Sequence, residues 1–338
     1  MAKYNTIAVI YGSDSSESDI SCRGGEFVAS RIDDTVYDVY QIFARFGKWS
    51  LVAFRKKNSV RVTFPPEAMP EIDKNDFSVT VYGEKIKFDF AYIMQHGIPG
   101  ENGLLQGYFE MLSIPFSTSS AFVSALSFDK YSCKSYLKSV DFVKLSPDVF
   151  VRKGNNLDEI CASVNAKLSY PVFVKPTDGG SSFGITKVKT PEQLKEAINY
   201  AFTEGDTLIV EQGVTGRELT CAVFFDGTRP YALPVIEIIT DHDYFDYDAK
   251  YNGASKEVCP AEISHELSEL VKRTSEKIYT HMGCSGVVRI DYISSDEGLY
   301  FLEINSVPGM TSASLVPKAV RAEGIQMTDF LSTIIENS

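Results

Sequence analysis

Only four histidines occur among the 338 residues, and His242, His265 and His281 stand at no spacing that makes a recognisable metal motif. Six cysteines are scattered without a CxxC pair, so the dense framework of a small disulfide-built domain is excluded and the thiols read as reduced packing residues. No Walker A pattern, GxxxxGK[ST], exists anywhere in the chain. No apolar run approaches the length of a membrane span, and the opening MAKYNTIAVIYG is too brief for the core of a signal peptide. These absences predict a cytoplasmic chain. Basic residues are outnumbered, 33 against 45 acidic, for a net charge of −12, which argues against a nucleic-acid-wrapping or anionic-membrane surface and leaves room for a local phosphate pocket. Repeats and low-complexity segments are also absent.

What is present is a balance suited to a folded enzyme, with 44% hydrophobic and 23% charged positions and enough chain for two or three domains. A first region runs over 1–116. Thr6–Tyr11 reads as a buried strand ending at Gly12, followed by a loop and a helix over Ser21–Ile32. The runs WSLVAF, SVRVTF and SVTVYG suggest a β-rich insert with no assigned chemistry, before the strand Phe90–Gln95 and the helix Leu104–Leu112. A middle region, 117–216, holds helical stretches around Asp129–Lys138, strand Val172–Lys175, a glycine loop, helix Pro191–Phe202 and strand Thr207–Glu211. The last region, 217–338, has strands Glu218–Phe225, Val287–Tyr292 and Leu299–Asn305, a long helix near Ile263–His281 and terminal helices from Ser314.

The last region carries the sharpest chemistry. Residues two apart on a strand share a face, so Arg289 and Asp291 in VVRIDYI project together, as do Glu303 and Asn305 in YFLEINS. If the strands pair, two carboxylates and an amide oxygen converge beside a guanidinium, a hard donor set of the kind magnesium takes with substrate phosphates. The alternative is an ordinary ion pair between Arg289 and Asp291. In KPTDGGSSFG, Lys175 ends a strand and the following glycine and serine amides are placed to wrap a polyphosphate, or simply to turn. Lys250 and Tyr251 lie in a polar, aromatic stretch longer than an ordinary connection, a lid or a solvated loop. In NSVPGMTSAS a strand meets a helix start near Ser314, where amides and hydroxyls suit a carboxylate or oxyanion, or plain capping. His96, before a glycine turn, either orients a substrate or is structural.

Taken in order, YGSDSSESDIS, QHGIPGENGLLQG, SALSFDKYSCK, VKPTDGGSSFG, EQGVTGRELT, YDAKYNGASKEVCPA, VVRIDY and LEINSVPGMTSASLVP resemble the D-alanine:D-alanine ligases of the ATP-grasp superfamily over nearly the whole chain. The resemblance implies an α+β ATP-grasp fold in three domains, with an N-terminal α/β domain, and the ligation of two D-alanines through an acyl phosphate for peptidoglycan precursors. By the same resemblance Lys130, Lys175 and Lys250 would neutralise ATP phosphates, with Ser181 and Ser182 in the glycine loop. Glu211 and Val214 would meet adenine and Glu218 the ribose. Asp291, Glu303 and Asn305 would hold two magnesium ions, for which manganese substitutes. Glu17 would hold the ammonium of the first D-alanine, supported by His96. Arg289 and the Gly309 amide would stabilise the oxyanion, and Ser314 and Leu315 would place the second D-alanine's carboxylate. Tyr251, with Ser181 and Glu17, resembles the hydrogen-bonded triad of the family, and a tyrosine there favours an amine over D-lactate as nucleophile. A homodimer is implied as well.

The sequence departs from the family pattern in GENG, where Asn102 replaces an acid, and in EQGV, where Gln212 and Gly213 replace a lysine and a bulky residue. The rival readings are a D-alanine:D-lactate or D-alanine:D-serine ligase and a nucleotide-binding relative without turnover.

Overall fold

Thr6–Gly12 sends Ile7, Val9 and Tyr11 into one core and Ala8 and Ile10 into another, as the two-residue period of a strand dictates. This computed structural model describes residues 2–179, 184–240 and 255–338. The strand is interior to a five-stranded sheet of order Val62–Thr63, Lys48–Arg55, Asp38–Arg45, Thr6–Gly12, Phe90–Ile93, and runs parallel to both of its neighbours. The expected β-rich insert is therefore only partly an insert. Asp38–Arg45 and Lys48–Arg55 belong to the main sheet, and Ile72–Asp73, Ser78–Val81 and Glu84–Lys87 form a separate three-stranded sheet packed on it. The first helix is Ser18–Arg31, starting three residues before the expected Ser21 and ending one before the expected Ile32. Gly25 has no room for a side chain, since a Cβ would lie 2.2 Å from the Tyr11 ring, so close packing overrides weak helix propensity.

A four-stranded antiparallel sheet of order Asp148–Arg152, Thr207–Gln212, Val172–Pro176, Thr186–Val188 is covered by the helices Leu157–Lys167 and Leu194–Ala201. Val164, Leu194 and Ile198 fill its core with Val172, Val174 and Val210. The last sheet has seven strands, built on Arg217–Phe225, Val287–Ser295 and Gly298–Asn305. One face packs under the helix His265–Met282, through Val271 and Ile278 against Leu219, Cys221 and Val223. The other face presents Ala222 and Phe224 to the helices Leu315–Ala322 and Met327–Asn337, which also pack on Ile7 and Val9. First and last sheets thus share a core.

The segment 121–145, placed by the sequence reading with the central unit, joins the last sheet. Cys133, Leu137 and Val143 are part of that sheet's core, and Lys144–Leu145 pairs with Gly298–Asn305. All six cysteines are free thiols, and burial raises Cys133, Cys221 and Cys284, as packing residues require. Among the described residues no helix is long and apolar enough to cross a membrane.

Candidate active site

Val287–Ser295 and Gly298–Asn305 pair antiparallel, with Asp291 directly opposite Glu303 and Arg289 directly opposite Asn305. Both expected pairs therefore converge on one face. The Arg289 guanidinium donates two hydrogen bonds to Asp291, Nε to Oδ1 at 3.0 Å and Nη2 to Oδ2 at 2.8 Å. Thr220 Oγ1, from the strand on the other side, donates to Asp291 Oδ1 at 2.5 Å, and Asn305 Nδ2 donates to Oδ2 at 3.1 Å. The ion pair is formed, and the paired carboxylate also lines a cavity of about 770 Å³ with Glu303 and Asn305. Asn305 turns its donor toward Asp291, which leaves its other amide atom an oxygen acceptor.

The same cavity reaches between this sheet and the central one, where Lys130, Lys175, Glu211, Val214 and Glu218 line it. Lys130 begins the helix Lys130–Leu137 and its Nζ donates to the Gly179 carbonyl at 2.9 Å. Lys175 Nζ lies 2.6 Å from Glu211 Oε2, and Lys134 Nζ lies 2.5 Å from the other oxygen. Burial alone would raise the Glu211 carboxyl, but the two ammonium groups hold it down at about 2. Burial likewise works against the Lys175 ammonium, and Glu211 outweighs it and keeps the lysine charged. The glycine of EQGV has a steric reason: Gly213 donates to the Pro171 carbonyl at 2.8 Å, and a Cβ would meet that oxygen at 2.9 Å. Gln212 accepts from the Ser169 amide at 2.9 Å.

At the far end the cavity is closed by Glu17, His96 and Glu101. The serines of YGSDSSESDIS stitch this corner. Ser13 Oγ donates to the His96 carbonyl at 2.6 Å, Ser15 Oγ to the same oxygen at 3.1 Å, and Ser21 Oγ accepts from the His96 amide at 2.9 Å. Ser13 adopts φ of +131°, a region that favours glycine, where these bonds hold it. The buried His96 Nε2 has no hydrogen-bond partner among the described residues, and burial lowers the imidazole despite the nearby Glu17 charge, so the ring stays neutral. Glu101 was not singled out from the sequence. Its Oε2 accepts from the Gly97 amide at 2.6 Å, yet burial, reinforced by Glu17, pushes its carboxyl up to about 8. Asn102, the residue in place of the usual acid, accepts from the Leu104 amide at 3.3 Å and so supports the start of the next helix.

Gly309, Ser314 and Leu315 line the remaining wall. Ser314 precedes the helix Leu315–Ala322 but does not cap it with its side chain; its Oγ accepts from the Thr311 amide at 3.0 Å. The helix N-terminus therefore faces the cavity without that cap, as anion binding requires. A Cβ on Gly309 would stand 3.0 Å from Ser314 Oγ, which accounts for the glycine.

Fourteen of the eighteen residues named from sequence line this one cavity. The other four, Ser181, Ser182, Lys250 and Tyr251, lie outside the described residues. Besides Glu101, sequence reasoning missed Lys134 and Asp148, whose ion pair at 3.3 Å lies behind the cavity wall. Among the described residues no group of three or more His, Cys, Asp or Glu is set to hold a metal, so a cation here would depend on two carboxylates and an amide.

Two family models match the chain, the D-Ala D-Ala ligase N-terminus over residues 6–119 and the D-Ala D-Ala ligase C-terminus over residues 135–336. The chain is 41% identical over 333 residues to the D-alanine–D-alanine ligase of Phocaeicola vulgatus, covering 98% of each. It is 40% identical over 332 residues to that of Bacteroides fragilis, again covering 98% of each. Among solved structures, the VanG D-Ala:D-Ser ligase from Enterococcus faecalis superposes with a TM-score of 0.86 at 29% identity, covering 98% of this chain and 99% of that one. The D-alanine–D-alanine ligase from Bacillus anthracis complexed with ATP gives 0.74 at 27% identity, covering 98% and 97%. With both family models matched in order and relatives about 40% identical over nearly the whole chain, the chain belongs to the D-alanine:D-alanine ligase family.

Proposed function

We infer that the chain is an ATP-dependent ligase joining two D-alanines into D-alanyl-D-alanine for peptidoglycan precursors. The carboxylate of the first D-alanine attacks the terminal phosphorus of ATP and ADP leaves. The amine of the second then attacks the acyl carbon, and phosphate departs with one of the original carboxylate oxygens as the peptide bond forms. The observation that carries this reading is the face-to-face register of Asp291 with Glu303 and Arg289 with Asn305 on a cavity shared with Lys130, Lys175, Glu17 and His96.

In this reading Lys130 and Lys175 meet the phosphates, with Lys250 and the Ser181 and Ser182 loop completing the cradle. Val214 and the Glu211 backbone contact adenine, since the Glu211 carboxylate is taken by two lysines, and Glu218 takes the ribose. Asp291, Glu303 and the Asn305 oxygen are hard donors that fit two magnesium ions, or manganese, which when bound neutralise phosphoryl oxygens. Glu17 binds the first ammonium, and neutral His96 lines that pocket without adding charge. Arg289 and the Gly309 amide point preorganised donors at the oxyanion. Leu315 and Ser314 offer the helix N-terminus to the second carboxylate. Tyr251 would link to Ser181 and Glu17, and it supports an amine nucleophile. Three lobes, with the segment 121–145 in the last rather than the central one, a cytoplasmic location and a homodimer belong to the same proposal.

A second reading, a D-alanine:D-serine ligase, is favoured by the likeness to the Enterococcus faecalis enzyme. Offering D-alanine, D-serine and D-lactate separately as second substrate, and identifying the products, decides between them. Preferential D-alanyl-D-alanine formation is expected; preferential D-alanyl-D-serine would establish the second reading, and ATP binding without any product would overturn both.

A further inference from the structure

The Lys134 side chain is fully buried and does not itself line the cavity, although it bonds Ser146 and Glu211, which do. It sits one turn after Lys130 on the same helix, so the two lysines share a helix face. Its Nζ donates to the Ser146 carbonyl at 2.9 Å and to Ser146 Oγ at 3.1 Å, and it pairs with Asp148 Oδ2 at 3.3 Å and Glu211 Oε1 at 2.5 Å. Asp148 and Glu211 are directly opposite one another on adjacent strands, an arrangement in which two carboxylates repel. The other cations near them are Lys138, half exposed and 3.4 Å from Asp148, and Lys175, 2.6 Å from Glu211. Cys133 and Leu137, the helix neighbours of Lys134, pack into the core of the last sheet, while Lys134 itself reaches the central sheet.

We propose that Lys134 is a positioning residue for nucleotide binding: it bridges Asp148 and Glu211 so that Glu211 shares its charge between two lysines, and it anchors the helix that carries Lys130. This rests on the reading of the cavity as an ATP site. With Lys134 present, Glu211 Oε1 is satisfied from behind the wall, and Lys175 is held by one oxygen with its remaining donors directed to a phosphate. Without it, Lys175 becomes the sole close cation partner of Glu211 among the described residues, and it is drawn into a tighter ion pair at the expense of the phosphate. The helix bearing Lys130 also loses its buried ion pairs to the central sheet and keeps the half-exposed Lys138–Asp148 contact at its C-terminal end. Buried lysines of this kind are costly unless fully paired, and this one makes four polar contacts.

The test uses the intact chain and direct titration with a fluorescent ATP analogue, which needs no turnover, alongside KM values for ATP and D-alanine. Lys134→Gln should weaken nucleotide binding and raise the KM for ATP at least tenfold, while the KM for D-alanine changes less than twofold. Adding Asp148→Asn removes the surplus carboxylate and should recover at least half of that loss on a logarithmic scale. If the single variant does not fold, the double variant, with the charge rebalanced, carries the test: it should fold and bind nucleotide within about threefold of the wild type. Unchanged nucleotide affinity in folded Lys134→Gln, an equal loss in both substrates, or a double variant that is no better than the single overturns the proposal. Wild-type chain that binds no ATP analogue would instead refute the ATP-site reading on which it rests.

Discussion

Glu101 gives the account a test with a worked sign and size. Its carboxyl is raised from 4.5 to about 8, first by burial and then by Glu17. The folded state therefore holds this proton more tightly than the unfolded chain does, so the contribution is complete below pH 4.5 and is lost as pH rises through 8. Each tenfold change in proton affinity is worth about 1.4 kcal/mol, so the full difference is on the order of 4–5 kcal/mol. Water entry and rearrangement on ionisation reduce it to roughly 2–4 kcal/mol. Glu101→Gln keeps an oxygen to accept from the Gly97 amide, which Glu101 now does at 2.6 Å, and removes the titration. Thermal and urea unfolding of both proteins at pH 5.5, 7 and 9, without ligands, isolates the residue by difference. From pH 5.5 to 9 the wild type should lose about 2–4 kcal/mol relative to Glu101→Gln. Parallel pH profiles for the two proteins would refute the reasoning, because they would mean that the carboxyl ionises as easily in the fold as outside it.

Two further substitutions address the chemistry. Arg289→Met removes the guanidinium that Asp291 accepts at 2.8 and 3.0 Å; steady-state kinetics should show kcat down about 100–1,000-fold, the size of one lost oxyanion donor, with the KM for ATP nearly unchanged. Gly309→Ala puts a Cβ 3.0 Å from Ser314 Oγ and forces a shift of tenths of an ångström; initial rates at varied D-alanine should show about a tenfold loss in kcat/KM for the second D-alanine.

The strand pair that defines the site was legible because a two-residue period fixes which side chains share a face, and VVRIDYI and YFLEINS place their polar groups on one. The parallel pairing of Asp38–Arg45 with Thr6–Gly12 was not, since local patterning marks a strand without naming its partner. Lys134 was equally opaque. A lysine four residues after another on a helix reads as a solvated face, and only the fold brings Ser146, Asp148 and Glu211 around it. Glu101 could be suspected from GENG, but its altered carboxyl arises from burial beside Glu17, residues far apart in sequence. Gly24 and Gly25 inside helix Ser18–Arg31 serve packing against Met94 and Tyr11 rather than helix propensity, which only the fold shows.

The central claim is that this cavity activates one D-alanine as an acyl phosphate before the second attacks it. Supplying D-alanine labelled with oxygen-18 in its carboxylate, together with ATP and magnesium, and analysing the released phosphate by mass spectrometry tests that step directly. The account predicts ADP and phosphate carrying one labelled oxygen for each dipeptide formed; unlabelled phosphate, or AMP with pyrophosphate, would contradict it.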